Sequence, residues 1–195
     1  MGSNAAVPEA PESALQQLCN QAKVSDEAKA LLTEDSRTKE FIGLLVEKEL
    51  FKDVIRLYAY LLPKREAIGW GCLCLRHVLA SPEGKPLPAV QLAAERWVSA
   101  PNEENRWAAK QAADKAESKT PSVLLALGVF FAGPSLAAPN RRPVPPPAEL
   151  TSGMVANAVI LAGTDKEPKK AKEKYGVFTQ KASALMARLQ QSSQA

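Results

Sequence analysis

Apolar positions recur along most of this chain at spacings of three and four, the signature of helices with one buried face. Ser13 reads as the cap of a short helix with Leu15 and Leu18 on one side. Ser25, with Glu27 and residues 28–32, suggests a second short helix. Residues 38–48 place apolar side chains at 41, 44 and 45, and residues 50–62 repeat them at 51, 54, 55, 58, 61 and 62. The charged Glu47-Lys48-Glu49 between the two patterns suits either a turn or a continuation; we favour two helices packed as a hairpin.

Pro63 stops that helix and suits the first turn of the next. Residues 67–79 are apolar around most of the helical circumference, which predicts a central helix. Gly69 and Gly71 lower its propensity, and close approach by a neighbouring helix accounts for both. Residues 81–88 form a proline- and glycine-rich loop, and Pro88 opens an amphipathic helix with Val90, Ala93, Ala94, Trp97 and Val98 on one face. Asn102 caps the next, over residues 103–118, whose alanines at 109, 112, 113 and 116 favour tight packing. Residues 122–132 are short enough for a buried strand. Their leucines and alanines, with no partner strand in sight, make helix the better reading.

Residues 137–148 carry a dense run of prolines, ending in Pro145-Pro146-Pro147. The segment must be extended; a stiff strap crossing the helical body is the favoured reading, a docking peptide for an aromatic groove the other. Residues 151–162 form another helix, and Pro168 begins the last, with Tyr175, Phe178, Ala182, Leu185 and Leu189 in register. No segment alternates with period two. The expectation is an all-α, single-domain bundle of nine or ten helices over residues 13–189, built from antiparallel helix pairs, with a disordered leader (1–12) and a disordered tail (190–195).

Charge changes this picture little. The formal net charge is +4 in 195 residues, an ordinary value for a small domain. Residues 164–181 hold six lysines against Asp165, Glu167 and Glu173, a local excess of +3; interleaved acids favour a solvated face over a nucleic-acid site. Cys19, Cys72 and Cys74 form no CxxC motif and read as buried reduced thiols. Residues 1–11 have neither a basic start nor an apolar stretch, and the longest apolar run, 123–132, is short of the ~20 residues that span a bilayer. A cytoplasmic protein without membrane insertion is expected.

The candidate chemistry is sparse. His77 is the single histidine, and on an apolar helix it reads as a packed residue before a catalytic one. Neither a GxGxxG nor a GxxxxGKS/T loop occurs. No enzyme activity, cofactor or metal is expected. Among the three tryptophans, Trp70 and Trp97 lie on apolar faces, while Trp107 is the best placed for partial exposure. With Arg106, Arg141, Arg142, Lys169 and Lys170 it makes the set of candidate partner-binding residues.

Several segments carry a resemblance in combination. They are residues 63–70 (PKREAIGW), 94–98 (AERWV), 101–106 (PNEENR) with the alanine-rich helix after it, and 144–151 (VPPPAELT). Together they resemble an uncharacterised family of small all-helical bacterial proteins found near type VI secretion genes, over residues 41 to 189. The resemblance implies no catalytic residues. It implies a setting, and with it a leading expectation: a non-enzymatic cytoplasmic adaptor or chaperone-like accessory protein of a secretion apparatus, docking an effector or machine component. The alternatives are a self-associating assembly component of another large complex, and a small enzyme or ligand binder with a pocket near His77.

Overall fold

A computed structural model describes residues 13–79, 86–138 and 140–192, and its architecture is all-α. The expected leader over 1–12 and most of the loop over 81–88 lie outside the described residues. Helices α1 (Ala14–Ala22) and α2 (Asp26–Lys29) open the chain, each with a serine cap. Ser13 and Gln16 close a reciprocal capping box, and the Ser25 hydroxyl accepts from the Ala28 N–H. The buried Asp53 carboxylate accepts from both the N–H and the hydroxyl of Ser25, at 2.7 and 2.9 Å, tying α2 to the body.

Helices α3 (Thr38–Glu47) and α4 (Phe51–Leu61) form the expected pair and pack on one another. The charged junction is a turn. Glu49 takes the left-handed conformation (φ 60°), and the Leu50 and Glu49 N–H groups return to the carbonyls of Leu45 and Val46, which closes a Schellman motif without glycine. Lys23 (φ 54°) ends α1 in the same way.

Helices α5 (Lys64–Leu79), α6 (Ala89–Ser99), α7 (Glu103–Asp114) and α8 (Pro121–Phe131) follow, then α9 (Leu150–Thr164), a 3₁₀ turn (Pro168–Lys170) and α10 (Ala171–Ser192). The segment that read as helix or strand is α8, capped by Thr120 with Pro121 in its first turn. Helix α7 ends at Asp114, before the expected 118. The chain must turn there because Thr120 is held extended (ψ 165°) to cap α8. Helix α10 runs to Ser192, so residues 190–192 of the expected tail are helical.

The centre of the bundle is α9, where α5 was expected. Helix α9 packs against α4, α5, α8 and α10 together and buries Val155, Ala156, Ala158, Val159 and Ala162. Helix α5 does bury Ile68, Trp70, Cys72, Cys74 and Leu75, but it keeps one face in solvent at Leu73, Arg76 and His77. Gly71 does mark a close approach: a Cβ there would lie 2.7 Å from Leu125 Cδ1. At Gly69 the nearest atom to such a Cβ is Val98 Cγ1 at 3.4 Å, so crowding explains only one of the two glycines. The Trp70 indole N–H donates to the Phe178 carbonyl at 2.9 Å, pinning α10 to α5 inside the core.

The proline-rich segment does not join distant helices. The C-terminal end of α8 already lies against the start of α9, with Gly128 against Thr151 and Met154, and the two helices share the most extensive contact in the molecule. Residues 132–149 connect these two neighbouring helices, starting beside Arg106 at Gly133 and ending beside Tyr60 at Ala148 and Glu149.

Candidate functional site

Helices α5 and α6 run antiparallel. The Arg65 Nε–H donates to the Val98 carbonyl (2.8 Å) at one end of the pair, and Arg76 meets Glu95 further along. Where Gly69 contributes no side chain, the two helices leave an open groove, closed on its third side by Leu185 of α10. Its volume is about 450 Å³. Trp70, Leu73, Val98 and Leu185 make it apolar, and Arg65, Glu66, Arg76 and Glu95 supply charges at its rim. Leu73 is 54% exposed, an unusual state for a leucine in the middle of a helix whose other leucines, Leu75 and Leu79, are buried and half-buried; Leu92 on α6 is 43% exposed.

One wall of the groove is wired into the core. Ser122 of α8 donates to the Gln91 amide oxygen (3.1 Å), the Gln91 amide N–H donates to Glu95 Oε1 (3.0 Å), and Arg76 donates to both oxygens of Glu95 at 2.7 and 2.6 Å. Gln91 is fully buried, so the bonds from Ser122 and to Glu95 satisfy an amide that water cannot reach, while Arg76 closes the array from the solvent side. Burial alone would raise the Glu95 carboxyl, but the hydrogen bonds from Arg76 and Gln91 outweigh it and hold the group below the ordinary carboxylate range. The effect is to fix Arg76 in one pose at the groove's edge.

This array is suited to positioning, with no activated nucleophile in it. The Ser122 hydroxyl donates to an amide oxygen, which is no base. Burial, with Glu95 nearby, pushes the Cys72 thiol up to about 12, so it stays protonated at neutral pH. Cys19 and Cys74 are also buried, free and raised by burial. Among the described residues no three of His, Cys, Asp and Glu converge as metal ligands. His77, expected to be packed, is exposed with its ring edge-on to Phe178 at 6.1 Å. Among the described residues it lines neither the groove nor any of three further clefts, one between α3, α4 and α10, one beside Tyr60 and Glu149, and one at the joint of α5, α6 and α8.

The residues singled out from sequence sit on three separate elements. Trp107 is half-buried, edge-on to Phe130 at 5.2 Å. Arg106 is the correction. It is 2% exposed, bidentate to Glu103 (2.8 and 2.6 Å), donating to the Phe130 carbonyl (2.9 Å) and stacked over the Trp107 and Phe130 rings, so it serves the fold and offers nothing to a partner. Arg141 and Arg142 are exposed on the connection after α8. Lys169 and Lys170 are exposed on the 3₁₀ turn, where Lys170 pairs with Glu167 at 2.7 Å. In the same lysine segment Lys172 pairs with Glu49 (2.6 Å), and Lys174 is buried with its ammonium on the Asp165 carbonyl (3.1 Å), which spends two more of its charges internally.

The groove was not legible in sequence: Gly69 and Leu73 lie one turn apart on the helix expected to be central, and nothing local marks that leucine as exposed. Among the described residues no helix is long and apolar enough to cross a membrane. Residues 41–186 match a protein family described as a family of unknown function (DUF6931), and the chain belongs to it. No curated protein and no solved structure matches the chain.

Proposed function

We propose that the protein is a non-enzymatic adaptor that holds an amphipathic helix of another protein in the groove between α5 and α6. The observation that carries this reading is Leu73, mostly exposed in an apolar trough whose rim is charged. Covering a leucine side chain removes about 1.5–3 kcal/mol of unfavourable hydration. Leu73 is 54% exposed, so a helix laid along the groove gains roughly half of that, about 1 kcal/mol, at this residue, while meeting little steric resistance at Gly69 and Ser99. The rim sets orientation. Arg65 and Glu66 lie towards one end and the Arg76–Glu95 pair towards the other, so an incoming helix with charges flanking its apolar face is selected by register.

The setting rests on the resemblance over residues 41 to 189 to proteins found near type VI secretion genes. It favours a cytoplasmic accessory role, chaperone-like in that a partner's apolar helix is covered before assembly. The test is photo-crosslinking from Leu73 in a bacterial host that carries this chain and a type VI apparatus. The expected adduct contains a secretion effector or apparatus component, joined through a helical segment. Adducts between copies of this chain alone would instead mark a self-assembling component, and no adduct would remove the groove from consideration.

A further inference from the structure

We infer that the α8–α9 connection is a second docking element, a preformed polyproline ridge that inserts into an aromatic-lined, acid-rimmed groove on a partner protein. Helices that pack side by side are ordinarily joined by about two to eight residues. Here the end of α8 already touches the start of α9, yet residues 132–149 intervene. The length bridges nothing. Connections of this size without secondary structure are usually functional loops or linkers, and an ordered neck sets this one apart from a linker.

The excursion is clamped at its neck. The Ser135 hydroxyl accepts from both the Ala137 and the Val144 N–H (3.0 Å each), and the Leu136 N–H donates to the Val144 carbonyl at 2.7 Å. Beyond the clamp, local sterics dictate the backbone. Pro143, Pro145, Pro146 and Pro147 each fix φ near about −65°. Each residue that precedes a proline is driven to the extended or polyproline region, which covers Arg142, Val144, Pro145 and Pro146. Residues 142–147 are accordingly neither helix nor turn. A polyproline helix repeats about every three residues, which sorts the segment into three edges. Val144 and Pro147 share one edge and Arg142 and Pro145 another, and all four are exposed, as is Arg141, which closes a turn on the Ala138 carbonyl just before them. On the third edge Pro143 is exposed and Pro146 is half-buried. Two edges are exposed along their length, with Val144 51% exposed between two prolines and Arg141 and Arg142 at the start of the run.

The chemistry of the partner follows. Proline rings and Val144 pack on the faces of tyrosine or tryptophan side chains, and a backbone already fixed loses little entropy on binding. Arg141 and Arg142 select carboxylates at the rim. This inference does not depend on the α5–α6 groove.

The test keeps the full chain and places a photo-crosslinking residue at Val144 in one variant and at Pro146 in another, in the same host. An adduct from Val144 whose joined peptide contains tyrosine or tryptophan is expected, with little from Pro146. A synthetic peptide of residues 140–148 should lower its yield roughly tenfold, and the same peptide with Pro145→Ala and Pro147→Ala should not. An R141E/R142E chain should lose the adduct to a similar degree at unchanged melting temperature. Equal adducts from both positions, no adduct from Val144, or an adduct indifferent to the peptide would overturn the inference.

Discussion

Arg106 shows how one charged side chain can be worth more inside this protein than on its surface. Its guanidinium fills the space beside Gly133, where a Cβ would sit 2.3 Å from Arg106 Nε, and it satisfies the last carbonyl region of α8 through Phe130. Arg106→Met keeps the stem but removes the 2.9 Å bond to the Phe130 carbonyl, leaving it only the long Gly133 N–H at 3.5 Å; a loss of about 1–3 kcal/mol is expected, read as the denaturant midpoint. Glu103 reports the same contact through pH. Hydrogen bonds from Arg106 hold its carboxyl below the ordinary carboxylate range. A carboxyl depressed in the folded state contributes above its unfolded value and loses that contribution as pH falls through the folded one. The melting-temperature gap between wild type and Glu103→Gln should therefore be full at neutral pH and close as pH drops below about 4.3. Glu103 is mostly solvated, so the gap is worth about 1 kcal/mol or less. A gap that widens on acidification would contradict the assignment. Gly163 is a second residue-scale constraint. A Cβ there would lie 2.1 Å from the Tyr175 ring, whose hydroxyl is anchored on the Ile160 carbonyl at 2.8 Å, so Gly163→Ala should cost about 1–3 kcal/mol.

At the scale of elements, the caps carry predictions of their own. Lys23 holds a left-handed backbone that costs a side-chain-bearing residue about 1–2 kcal/mol, and glycine removes that strain while adding about 0.5–1 kcal/mol of unfolded-state entropy. Lys23→Gly should leave the protein up to about 1 kcal/mol more stable by denaturant titration. The connection after α8 predicts the opposite kind of result. Because α8 and α9 meet without it, replacing residues 138–144 with a short glycine linker should change stability by less than about 1 kcal/mol. The helices were legible in sequence because each apolar stripe and each Ser, Thr or Asn cap is local: Ser13, Ser25, Asn102 and Thr120 all cap where the pattern begins. The strap was misjudged because a proline run fixes conformation without fixing where its ends lie, and that distance is set by α8 packing on α9. The burial of Arg106 was hidden for a related reason. A charge near a helix start reads as surface until Phe130, far along the chain, is folded over it.

For the whole molecule, the arrangement around α9 leaves α5 covered on most sides and bare on one. Two central-looking helices cannot be ranked from composition, since α5 and α9 are both apolar around most of their circumference; the ranking comes from which neighbours arrive. The bare side is what the proposed function uses. The most direct measurement pairs stability with capture in the Leu73→Arg variant, in the host where the wild-type chain retains its partner. The account predicts a melting temperature within the effect of an ordinary surface change, about 0.5 kcal/mol, together with loss of the partner. Retention of the partner by a folded Leu73→Arg chain, or a loss of several kcal/mol that makes Leu73 a core residue, would contradict it.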